Sequence, residues 1–210
     1  MKKGPPRDYQ QVIVDALEKY SKRRIIAFMP RRSGKNWVAL YILMRQAIKE
    51  AGIYYWVDFN CRSRHAFFEE IPKDNYVFCA QENKLVFING SVVHFVKDGK
   101  DIYQSLRIMN SNGIVLSEYA MHKHLKNDDI FINDYQGWML FITTPRKTEI
   151  HHTNNATLLW NKAKELSSWF CYKVTIQDTK QISVEQIKKE IDASEITQDC
   201  SDQDYYCKTE

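Results

Sequence analysis

Residues 29–36 read Met-Pro-Arg-Arg-Ser-Gly-Lys-Asn. The apolar run Arg24-Ile-Ile-Ala-Phe precedes them, with the β-branched content and the break at Pro30 of a buried strand. After them, Trp37, Leu40, Tyr41, Met44 and Ile48 recur at helical spacing. Strand, basic glycine-containing loop, helix is the context that gives the pattern G-x-x-x-x-G-K-[ST] its meaning as a phosphate cradle. Gly34 lets backbone N–H groups approach an anion closely, and Lys35 reaches terminal phosphates as a point charge. The helix behind them adds a favourable dipole. Two positions depart from the pattern. Met29 stands where the first glycine belongs, and Asn36 where a magnesium-binding hydroxyl belongs.

Working outward from the loop, strands and helices alternate. Helices are expected over 11–20, 37–50, 62–70 and 156–166, and from Val184 onward. There Ser183-Val-Glu-Gln has capping-box spacing. Buried strands are expected over 24–29, 53–57, 113–116, 139–143 and 170–175. Two further strands, 84–88 and 92–96, flank Asn89-Gly90, a signal for a tight two-residue hairpin turn. From Ala193 the pattern fades into polar sequence. Alternation of this kind predicts a three-layer α/β fold with a mainly parallel central sheet and an antiparallel hairpin added to it.

Composition sets the limits. The chain has 210 residues, 44% of them hydrophobic, enough for one domain with a sizeable core. Its net charge of +4 is compatible with nucleic acid but does not specify it. Basic residues cluster at Lys22-Arg23-Arg24, Arg31-Arg32, Arg62 with Arg64, and Arg146-Lys147; each cluster alone reads as a solvated face. The five cysteines form no C-x-x-C pair, so free thiols in a reducing compartment are the simple reading. Cys61 and His65 have i,i+4 spacing but no second ligand pair, and neither His151-His152 nor His122 with His124 has a matching partner. The latter two are expected on a short surface helix. Trp56, Trp138, Trp160 and Trp169 are expected in the core. No apolar run approaches the ~20 residues of a membrane span, which makes a soluble cytoplasmic protein the expectation.

In parallel α/β sheets ligands bind beyond the carboxyl ends of strands, and three of the expected strands end in chemically loaded residues. The first ends in the 29–36 loop. The second, "GIVLSE", presents Glu118, placed to orient water for attack on a γ-phosphate. Ser117 precedes it where an aspartate would hold the metal; the alternative reading of Glu118 is that it simply caps the next helix. The third, "LFITTPR", ends in Thr143, Thr144, Pro145 and Arg146.

In this order the residues resemble the ATPase domain of the large terminase subunit of tailed bacteriophages, along nearly the whole chain. "RDYQ" (7–10) resembles that family's adenine-reading segment, which implies base contacts from Tyr9 and Gln10. "PRRSGKN" resembles its arginine-rich Walker A loop, implying nucleotide contacts from Pro30, Arg31, Arg32, Ser33, Gly34, Lys35 and Asn36. "SLRIMNSNGIVLSEYA" (105–120) is similar to the stretch leading through Walker B, and "TTPRKTEIHH" (143–152) to the coupling motif, with Lys147 in place of the usual glycine. "YYWVDFNCRSRHAFFEEIP" (54–72) and "NGSVVHFV" (89–96) resemble the second strand with its following helix and the hairpin.

The resemblance implies a P-loop NTPase fold of the ASCE/RecA-like kind over 1–180, with 181–210 a helix and linker leading toward a nuclease domain. It implies ATP and Mg²⁺ as cofactors, with Lys35, Arg32, Glu118 and Arg107 as catalytic residues. Arg107 would be an arginine finger offered to a neighbouring subunit. Asn36 and Ser117 would hold the metal, weakly or through water. The implied partners are double-stranded DNA, a portal protein, a small terminase subunit and further copies in a pentameric ring, in the cytoplasm of an infected bacterium. No nuclease activity is expected from this polypeptide. Two alternatives stand beside this reading: a nucleotide- or DNA-binding scaffold with little catalysis, and a helicase-like ATPase.

Overall fold

An eight-stranded sheet organises the chain, seen in a computed structural model that describes residues 4–58, 75–99, 110–123, 134–145, 155–193 and 195–208. The strands are β1 (Arg24–Phe28), β2 (Ile53–Asp58), β3 (Tyr76–Cys79), β4 (Lys84–Phe87), β5 (Val92–Lys97), β6 (Gly113–Ser117), β7 (Trp138–Thr143) and β8 (Trp169–Lys173). Their order is β3-β4-β5-β2-β6-β7-β1-β8. Six of them, from β5 to β8 in that order, run parallel, while β4 pairs antiparallel with β3 and with β5.

The described helices are α1 (Asp8–Glu18), α2 (Lys35–Lys49), α3 (Asn155–Lys164), α4 (Ile176–Thr179), α5 (Val184–Asp192) and α6 (Gln198–Asp204). Because successive strand residues point to opposite faces, the sheet feeds two cores. Ile25, Ala27, Tyr54, Trp56, Val115, Leu140 and Ile142 pack under α1 and α2. Ile26, Phe28, Tyr55, Val57, Leu116 and Phe141 pack under α3 and Tyr119. The expected three-layer α/β arrangement with its antiparallel addition is therefore present. A third, small cluster joins Ile176 of α4, Ile187 of α5 and Tyr205, the C-cap of α6.

Several elements differ from expectation for identifiable reasons. Helix α1 starts at Asp8, because the Gln10 side chain accepts from the Arg7 N–H at 3.0 Å and secures a first turn that has no apolar periodicity. Strand β3 is half-exposed at the sheet edge and too short to declare itself. The Asn-Gly hairpin is not a two-residue turn. The Gly90 N–H donates to Phe87 O at 2.9 Å, the Phe87 N–H to Ser91 O at 2.9 Å, and only Gly90 (φ 85°) is left-handed, so the loop has three residues, 88–90, with glycine in the bulge position. Helix α6 lies in the polar tail, its N-cap Thr197 accepting from the Cys200 N–H at 3.1 Å. Ser183 caps α5 as its spacing predicts, accepting from Gln186 N–H at 3.1 Å. Trp56 and Trp138 are buried, whereas Trp160 and Trp169 are only partly covered, at the rim of the second core. The expected helix over 62–70 lies outside the described residues, as do Cys61, His65, Arg62, Arg64, His124, Lys147, His151 and His152.

Candidate functional site

Strand order builds the site. β7 lies between β1 and β6, so the loop leaving β1 and the acidic turn leaving β6 sit two strand spacings apart, about 10 Å. That gap is the width of a phosphate group plus the side chains that reach it from both sides.

The loop after β1 is shaped by its own sequence. Ser33 is fully buried, and its hydroxyl donates to Pro30 O at 2.7 Å. Arg32 (φ 61°) and Gly34 (φ 74°) both adopt left-handed backbone, which turns the chain sharply into α2. Gly34 is the N-cap and offers no side-chain acceptor, so the first-turn N–H groups of α2 begin at Lys35 and Asn36 without a capping side chain. From below, Tyr9 and Gln10 hold the loop. Tyr9 Oη and Gln10 Nε2 each donate to Ser33 O at 2.9 Å, and Gln10 Nε2 also lies 3.4 Å from Gly34 O. Gln10 is buried, and a Cβ on Gly34 would stand 2.8 Å from its Nε2. These two residues thus act on the loop backbone in this structure.

Across the gap, Glu118 follows β6 in left-handed conformation (φ 53°), a position that costs a non-glycine residue about 1–3 kcal/mol. A short 3-10 turn over Tyr119–Met121 begins there, and the Glu118 side chain does not cap it. It points to the loop instead: Lys35 Nζ lies 3.0 Å from Glu118 Oε1, and Asn36 Nδ2 3.5 Å from the same oxygen. Ser117 Oγ donates to Asn36 Oδ1 at 3.4 Å. Lys35, Asn36, Ser117 and Glu118 therefore converge. Asn36 Oδ1 and Ser117 Oγ together present two neutral oxygens at one spot, a donor set that suits a hard cation or its bound water but brings no charge.

The β7 hydroxyls tie the two sides together. Thr144 Oγ1 donates to Met29 O at 2.9 Å, and Thr143 Oγ1 accepts from the Ala120 N–H at 3.1 Å while donating to Thr144 O at 3.0 Å. Both threonines and Pro145 are buried. Arg146 and Arg107 lie outside the described residues.

Three features of the site were not legible in the sequence. Arg31 is turned away from the gap: its N–H donates to Asp204 O at 2.7 Å and its Nη1 lies 2.9 Å from Asp204 Oδ2. That bond raises the Arg31 guanidinium pKa above its usual value. Cys207, fully buried close to Lys35 and Lys173, has its thiol pushed up to about 12 by burial, against the opposing pull of those lysines. His122 is buried rather than on a surface helix, its Nε2 2.8 Å from Ser117 O. The partners of Arg31 and Cys207 come from distant parts of the chain, and His122, though only five residues from Ser117, folds back on it through a turn that its spacing does not signal. A separate cavity of about 470 Å³ opens at the amino ends of the strands, between Arg23, Glu50, Asn112 and Trp138, at the far end of the sheet from this site.

A parallel sheet with β7 inserted between β1, which leads into the Gly34-Lys35 loop, and β6, which ends before Glu118, is a P-loop α/β fold. Within that class the solved structures are specific. The chain is similar to the large terminase ATPase domain of Thermus phage P74-26, with a TM-score of 0.67 at 13% identity, covering 98% of this chain and 94% of that one. It is also similar to the large terminase of a thermophilic bacteriophage in complex with ADP (TM-score 0.63, 14% identity) and with ATP-gamma-S (TM-score 0.61, 14% identity), covering 89% of this chain each time. It spans about half the length of those two proteins. No family model and no curated protein matches the sequence. The chain has the fold of a phage large-terminase ATPase domain. Among the described residues no helix is long and apolar enough to cross a membrane.

Proposed function

We propose that this chain is the ATP-hydrolysing motor domain of a DNA-packaging terminase. The observation that carries the reading is the 3.0 Å contact between Lys35 Nζ and Glu118 Oε1 across the end of β7. A loop cation and a strand-end carboxylate meet where a terminal phosphate would sit. A bound nucleotide separates them: Lys35 takes the phosphate oxygens, and Glu118 is freed to orient water toward the phosphorus. Asn36 and Ser117 would hold Mg²⁺, which when bound neutralises charge on the phosphates. The ADP and ATP-gamma-S complexes of the structural neighbours support nucleotide as the ligand. Translocation of double-stranded DNA, action with a portal protein and small terminase subunit, and a ring completed by Arg107 in trans belong to the same proposal.

Steady-state ATP hydrolysis by wild type, Lys35→Ala and Glu118→Gln tests it. Losing a group that positions the nucleophile or charge in the transition state costs about 10²–10⁴-fold in rate. Equal turnover in all three proteins would end the catalytic assignment. A second reading, a nucleotide-binding scaffold with little turnover, is favoured by the uncharged Asn36 and Ser117. Tight Mg²⁺-ADP binding by calorimetry with no turnover in wild type selects it.

A further inference from the structure

Glu118 holds an unfavourable backbone conformation at the point where its carboxylate must be aimed, and something has to keep it there. Each peptide unit is planar, so fixing the two planes on either side of a residue fixes its φ and ψ. The plane after Glu118 is fixed by the Met121 N–H, which donates to Glu118 O at 2.8 Å. The plane before it contains the Ser117 carbonyl, and that oxygen lies 2.8 Å from His122 Nε2. A carbonyl only accepts, so the ring carries its proton on Nε2 and donates it.

The ring is enclosed by several elements. Its side chain is fully buried, with Nδ1 3.6 Å from Asp98 Oδ1 just past β5. Asp98 Oδ2 accepts the Lys123 N–H at 3.0 Å, and the Asp98 N–H donates to Asp58 O at 3.1 Å at the end of β2. The Tyr119 ring covers it at 5.7 Å, and the His122 N–H donates to Tyr119 O at 3.0 Å. Backbone bonds thus join the ends of β2 and β5 to the segment that carries the imidazole, and the ring's Nε2 grips the peptide that aims Glu118.

We infer that His122 is a positioning residue for the hydrolytic carboxylate: its Nε2–H bond to Ser117 O holds Glu118 in the left-handed turn that points its side chain at Lys35 and Asn36. This rests on the ATPase reading above for its kinetic consequence but not for its structural one. The His122 ring bonds the Ser117 peptide next to the hydrolytic carboxylate, so its loss should act on turnover more than on binding.

The test compares His122→Leu, which fills the buried space without a donor, with His122→Gln, whose Nε2 amide stands at the same reach and can donate to the same carbonyl. In His122→Leu, kcat for ATP is expected to fall about a hundredfold, the scale of a misplaced catalytic group, with KM within about threefold. In His122→Gln, kcat should return to within about tenfold of wild type. Backbone amide exchange at residues 118–121 should quicken in the leucine variant and recover in the glutamine variant. Unchanged kcat in His122→Leu overturns the inference, and so does a glutamine variant no better than the leucine one. If wild type shows no turnover, the ATPase reading fails alone. Amide exchange then decides: protection lost with leucine and restored with glutamine sustains the positioning role, and equal protection in all three proteins removes it.

Discussion

At Asn36 and Ser117 two neutral side chains share the place where other phosphate loops put a hydroxyl and a carboxylate. Their oxygens meet at 3.4 Å through a hydrogen bond of their own. The double variant Asn36→Thr with Ser117→Asp restores one hydroxyl and one charge. It should tighten Mg²⁺-ADP binding by roughly tenfold, the effect of one good ligand or its support; calorimetry with and without Mg²⁺ measures it, and an unchanged magnesium dependence would show that the metal sits elsewhere. Gly34 makes a contrasting case. Its φ of 74° suits glycine, and a Cβ would press on Gln10 Nε2. Gly34→Ala should cost about 1–2 kcal/mol and lower the urea midpoint without changing the slope. The loop was readable from sequence because Gly34 and Lys35 are adjacent and their roles are local. Gln10 was readable only in part. Its segment stood out, but the bond to Ser33 O that occupies its amide depends on how α1 packs.

Among the elements, the hairpin serves a purpose beyond pairing strands. Helix α2 ends without a glycine, and its last carbonyls need donors. Asn89 Nδ2 donates to Ala47 O at 2.8 Å and Ile48 O at 3.1 Å, and Ser91 Oγ donates to Ala47 O at 2.6 Å. The turn between β4 and β5 is the C-cap of a helix some forty residues earlier. Asn89→Ala removes both amide bonds and should destabilise the chain by about 1–2 kcal/mol, read as a drop of several degrees in melting temperature; a melting temperature within one degree of wild type would deny the cap. The strands other than β3, and the long helices, were legible because their apolar spacing has one period each. The turn type was not, since Asn-Gly satisfies both the two-residue and the three-residue hairpin, and pairing of Phe87 with Ser91 decides between them. Helix α6 escaped notice because its sequence, Gln-Asp-Cys-Ser-Asp-Gln-Asp, has no apolar face of its own. What it offers is a carbonyl and a carboxylate to Arg31.

For the molecule as a whole, that contact sets α6 against the loop at 29–36, and the Ile176 N–H, donating to Tyr205 O at 2.8 Å, ties α4 to the end of α6. Cys207 reports on the contact. Its raised pKa leaves almost no thiolate at pH 8, and it is fully buried, whereas Cys200 is exposed. Iodoacetamide at pH 8 should therefore modify Cys200 much faster than Cys207, with mass spectrometry reading each site. Asp204→Ala, which releases Arg31, should speed labelling of Cys207 several-fold. Equal rates at the two cysteines in wild type would mean that the tail does not rest on the loop in solution. The sheet order has a different kind of consequence. Strand β1, which carries the 29–36 loop, pairs Arg24 with Met139 on one side and with Trp169 on the other. At ~5–20 residues per second, synthesis takes roughly 7–30 s to deliver the second neighbour after β1 itself has been made. Through that interval an apolar strand waits on the ribosome with an open edge. The loop at the end of β1 therefore depends for its final shape on strands made well after it.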